Sequence, residues 1–233
     1  MSITELTEII ALVDLGLLVF TSGLGLAWFQ QLKPPFRFLM MYLWGVTAVE
    51  LVAKLYYFGW VEGSNLWLLH IYTLFEFVVL GLFYREILAP KLAQRARFRR
   101  GLNTYLLAGG AAIALYSVVL LATNSTGNPH LFQLYSKIVV HGTILVFASL
   151  FLLRVLQRPG SYVSGFRGLV PVNSTLLLYF AGSFLIFLTV RYAIQSDLEQ
   201  TIVLWLINAI LTLVLHVVCI FGLWARDSKA DRS

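Results

Sequence analysis

Six formally charged side chains fall inside long apolar stretches of this sequence: Asp14, Glu50, Glu76, Lys54, Lys137 and Arg191. A charge at the centre of a bilayer costs about 3 kcal/mol or more unless it is answered by a partner or by water. Three acids against three bases sum to zero, which mutual neutralisation in a protected interior requires. The spacing agrees with such an interior. Glu50 and Lys54, Tyr72 and Glu76, and Lys137 and His141 are each four residues apart, so each pair shares one helix face. Asn208, Thr212 and His216 form a stripe at the same spacing.

Depth adds to the pattern. At ~1.5 Å per residue from the outer end of each stretch, Arg191 lies at the rim, with His70, Asp14, Lys137 and Lys54 one or two turns below. Thr73 and Asn208 come next, and His141, Glu50 and Glu76 lie near the midplane. His216 alone falls clearly nearer the inside. With Tyr72, the outer set is the candidate ligand-binding site, a polar pocket opening toward the external face. Lys54, Lys137 and Arg191 would attract an anionic ligand, with the three carboxylates holding them in place.

Other chemistries fit less well. A metal centre needs three or four ligands converging at one depth, and His216 is displaced from His70 and His141, so no metal or other cofactor is expected. Ser136, beside Lys137 and near His141, is the best-placed nucleophile, but no motif activates it, and no catalytic residue is assigned. Retinal-type proteins have the same number of spans but carry a lysine on the last one, and Ile202 to Trp224 contains none.

These residues are carried by seven apolar blocks, approximately 9–29, 38–60, 66–84, 102–122, 132–153, 173–193 and 201–224, each near the ~20 residues that cross a bilayer. Short connections with Lys33-Pro34-Pro35, Asn124 to Pro129 and Arg158-Pro159-Gly160 separate them. The expected fold is therefore an all-α integral membrane protein, a single seven-helix bundle over residues 1–233 with the third helix near its middle. Composition agrees: 59% of residues are hydrophobic and 12% charged, about half the charge of a soluble domain, and mean hydropathy is +0.82. Cys219, the sole cysteine, can form no intrachain disulfide. The N-terminus is acidic, unlike a cleaved leader, so the first block is expected to stay in the mature protein.

The net charge of +6 does not indicate nucleic acid, because the basic residues sit in the short connections. Lys33 and Arg37, Arg85 to Arg100, Arg154 to Arg167, and Arg226 to Arg232 fall on one side, with Glu5, Glu8, Glu62, Asp197 and Glu199 on the other. That split predicts the N-terminus outside, the C-terminus in the cytoplasm, and residence in the cell membrane. The expected partners are the lipid bilayer, a small ligand from the outer face, and a cytoplasmic or membrane signalling protein docking on the Arg85–Arg100 loop. The expected function is that of a receptor-like sensor acting through a separate partner. The alternatives are a small-solute or proton-coupled carrier, with Glu76, His141 and Glu50 titrating, and an intramembrane enzyme acting on lipid.

Overall fold

A computed structural model describes residues 3–62, 66–89, 95–122, 129–157, 168–196 and 198–224. Among these the chain is helical, with α1 Ile3–Trp28, α2 Pro34–Tyr57, α3 Leu66–Ile87, α4 Arg95–Ala122, α5 Pro129–Gln157, α6 Leu169–Ser196 and α7 Leu198–Trp224; a 3-10 turn, Phe29–Gln31, follows α1. All seven α-helices are long and apolar enough to cross a membrane.

Most helices run past the apolar blocks into polar sequence, because backbone hydrogen bonding does not stop at the edge of hydrophobicity. α1 starts six residues before its block and α4 seven. α2 stops short, and the reason is local. Gly59 has φ +71°, a conformation that suits glycine at a helix end. There the amide N–H groups of Phe58, Gly59 and Trp60 donate to the carbonyls of Lys54, Tyr56 and Leu55. At the other end Lys33 is extended (φ −63°, ψ 152°) with Pro34 beginning the helix, as steric conflict with a following proline dictates. Arg37 then folds back, donating to the carbonyl oxygens of Leu32 and Gln30 at 2.7 Å each.

The chain gathers into two compact units, one of Met1–Gly23 with His141–Ser233 and the other of Leu24–Val140. In the second, α3 packs against α2 and α4. Its core includes Leu39, Leu43, Leu80, Phe83 and Tyr84, all without exposure. Glycines let these helices approach closely, as small residues do in membrane bundles. The Phe75 ring occupies the space a Cβ on Gly45 would need, and Leu106 does the same at Gly81. Among the described residues, α3 is the most enclosed of the seven helices and α7 the least. In the first unit α6 and α7 pack together.

Large apolar side chains stay exposed on several helices, among them Leu26, Leu107, Leu156 and Phe221. So much exposed apolar surface on such long helices suits hydrocarbon rather than water. The seven helices point to a multi-pass membrane protein.

Candidate functional site

The centre of the Leu24–Val140 unit is a short chain of polar groups. Tyr72 and Glu76 lie one turn apart on α3, and the Tyr72 hydroxyl donates to Glu76 Oε1 at 3.0 Å. The other carboxylate oxygen accepts from Lys137 Nζ on α5 at 2.7 Å. The same ammonium stands 4.3 Å from the centroid of the Tyr72 ring, so ring and carboxylate stabilise one cation together. Tyr42, on α2, has its hydroxyl 3.3 Å from that of Tyr72. Tyr72 has one hydroxyl hydrogen and gives it to Glu76, so Tyr42 is the donor in that contact.

Glu76 is 0% exposed and Lys137 6%. Their separation is that of a charge-assisted hydrogen bond. A pair this deep is weak evidence for stability, because desolvation offsets much of the attraction. Losing one member is another matter, since it strands an ion in an apolar interior.

Exposure grades outward from this pair. Tyr72 and His70 are half-buried, as is Lys54, while Glu50 is exposed. Gly45 against Phe75 and Tyr56 against Trp67 set the antiparallel register of α2 and α3, and that register brings Glu50 level with His70. Glu50 continues the stripe of Leu39, Leu43 and Val46, so the enclosed face of α2 ends a turn before it.

The other unit holds its own polar contacts. His216 Nδ1 and Asp14 Oδ1 lie 2.7 Å apart, at 1% and 8% exposure. Ser183 donates to Asn208 Oδ1 at 2.6 Å, and Asn173 Nδ2 to the carbonyl of Ala148 at 3.1 Å. His141, 1% exposed, sits among rings, with centroids 4.8 Å from Phe180 and 5.3 Å from Phe187. No cluster of three metal-ligating side chains occurs among the described residues.

No family model, curated protein or solved structure matches this chain.

What the site does is therefore read from its own geometry. Of the residues expected at one pocket, Tyr72, Glu76 and Lys137 meet directly. Thr73 is buried but turns back to the carbonyl of Leu69 at 2.6 Å, a common use of a hydroxyl within a helix. Lys54 Nζ lies 5.2 Å from the Tyr57 ring. Asn208 meets Ser183. The side chain of Arg191 lies outside the described residues, as does the centre of the Arg85–Arg100 loop.

Asp14 pairs with His216, which depth counting set apart from it. The count began at residue 9, whereas α1 begins at Ile3, so Asp14 lies farther along its helix than the apolar block indicates. Sequence reasoning also missed Tyr42. Its signal was the phenol itself, since a tyrosine amid apolar residues needs a hydrogen-bond partner for its hydroxyl.

Proposed function

We propose that this chain is a receptor-like sensor of the cell membrane, with its N-terminus outside and its C-terminus in the cytoplasm. A small ligand would enter at the outer end of α2 and α3, past Glu50, Lys54 and His70. It would act on the Glu76–Lys137 pair, and the response would leave through the basic inner ends of α3 and α4 to a separate protein. The orientation is supported by the distribution of lysine and arginine along the sequence.

The observation that carries the reading is the buried pair with both carboxylate oxygens engaged. Glu76 is held from its own helix by Tyr72 and from α5 by Lys137. An anion competing for Lys137, or a proton delivered to Glu76, would release one of these contacts. A ligand shifts such an equilibrium only by its differential affinity for the two states. A contact made or lost at Lys137 supplies that difference.

Spin labels at two exposed positions of this unit, Lys33→Cys on the approach to α2 and Ala96→Cys on α4, test the reading. In nanodiscs, E76Q and K137M are expected to shift the distance distribution between labels, and the E76Q/K137M double variant to shift it as well. Distributions identical to wild type in all three would remove the pair as a switch.

The Asp14–His216 contact favours a second reading, a proton-coupled carrier. A buried carboxylate against an imidazole can hold and release a proton. Proton uptake into proteoliposomes, driven by an imposed gradient and lost in D14N, would select the carrier over the sensor.

A further inference from the structure

At the inner ends of α3 and α4 the arginines divide into two groups. Arg99 points toward α3 and gives an N–H to Glu86 Oε2. Glu86 Oε1 accepts from Arg85 Nε and Nη2 at 3.1 and 2.9 Å, and Arg85 Nη1 donates to Asn103 Oδ1 at 3.0 Å. This network ties the start of α4 to the end of α3 and fixes the rotation of α4 about its axis.

That rotation sends the other arginines outward. At ~100° per residue, Arg97, Arg100, Thr104, Leu107, Leu115 and Val118 lie within about 80° of one another. All six are exposed, Leu107 by 75%, Leu115 by 66% and Val118 by 61%. One face of α4 is thus open along its length, apolar over most of it, and ends in two exposed guanidinium groups. The apolar block of this helix begins at residue 102, just after both arginines, which sets them at the edge of the hydrocarbon.

We infer that this face of α4 is a binding site for an anionic phospholipid, with the headgroup phosphate on Arg97 and Arg100 and an acyl chain along Leu107 toward Leu115. The inference rests on the multi-pass reading proposed above. Guanidinium matches a phosphate in geometry as well as charge, through paired N–H donors. The acyl stretch also matches. Half of a ~30 Å hydrocarbon core is covered by about ten helical residues, which reaches from Arg100 past Leu107. Charge complementarity selects the occupant. A second copy of the chain would bring another pair of arginines to the same face, or leave these two without a counter-ion.

The test uses the full chain in nanodiscs of phosphatidylcholine and phosphatidylglycerol in equal amounts, with the lipid that remains bound read by native mass spectrometry. Wild type is expected to retain phosphatidylglycerol in preference to phosphatidylcholine. In R97Q/R100Q that preference should fall about thirtyfold, as expected for two basic residues at an anionic surface, and R97K/R100K should keep part of it. Both side chains are exposed, so the glutamine variant is expected to fold, and its melting temperature checks this. Equal retention of the two lipids by wild type overturns the inference, as does an undiminished preference in R97Q/R100Q. Disulfide crosslinking of Thr104→Cys between copies overturns it too, because a second chain then covers the face. Release of wild type from membranes by an alkaline wash would instead overturn the multi-pass reading, which separates the two failures.

Discussion

Removing the ammonium of Lys137 leaves a carboxylate at Glu76 with no exposure to solvent. Breaking a buried pair from one side costs about 3–5 kcal/mol. K137M is therefore expected to lower the melting temperature sharply in detergent. E76Q/K137M should recover much of the loss, because no unpaired ion remains. Equal melting of the single and double variants would show that the pair is not coupled. Tyr72 serves Glu76 and Tyr42 at once, whereas Tyr42 reaches the carboxylate only through Tyr72. Y72F should thus cost about 1–3 kcal/mol, the penalty for an unsatisfied buried group, and Y42F less; thermal unfolding of the two variants side by side gives the order. At this scale the sequence identified which groups need partners. Polarity inside an apolar run sets the demand but not the supplier. Glu76 found Lys137, while Asp14 found His216, which lies 202 positions away.

Helices are where small residues decide what meets. A Cβ on Gly45 would collide with the Phe75 ring, while one on Gly16 meets nothing within 4 Å. Gly45→Ala is expected to destabilise by about 1–3 kcal/mol through overpacking. Gly16→Ala should be neutral, or stabilising by up to about 1 kcal/mol, through helix propensity. Unfolding of the two variants in the same micelle checks the contrast, and equal effects would contradict the close approach of α2 to α3. Helix existence was readable from hydropathy alone, since each apolar block corresponds to one helix. Helix ends were not, because α1, α4 and α5 extend into polar residues that hydropathy excludes. The end of α2 is set by the backbone of Gly59, a signal of a different kind.

For the molecule as a whole, orientation is the property that can be tested most directly. Cys219, the sole cysteine, is fully buried and leaves a quiet background for labelling. Glu5→Cys and Ala96→Cys, both exposed positions, should respond oppositely to an impermeant maleimide on intact cells, the first reacting and the second not. Reaction at Ala96→Cys from outside would reverse the proposed topology. The sequence suggested one bundle because no linker interrupts it. Contacts group the residues into two compact units whose boundaries fall within α1 and α5, in stretches where composition does not change, so nothing in the residue order marks them.

By itself the sequence determined the number of apolar helices, their approximate places and which charges fall within them. Each of these is a sum over neighbouring residues, and hydrophobic transfer accumulates along the chain. Only the tertiary structure decided that Glu76 meets Lys137 and Tyr72, that Asp14 meets His216, and that Arg99 turns inward while Arg97 and Arg100 turn out. Those outcomes depend on how far each helix is rotated and slid against its neighbours. Glycine gaps, ring sizes and helix ends fix rotation and slide through contacts between residues remote in sequence, which no local pattern records.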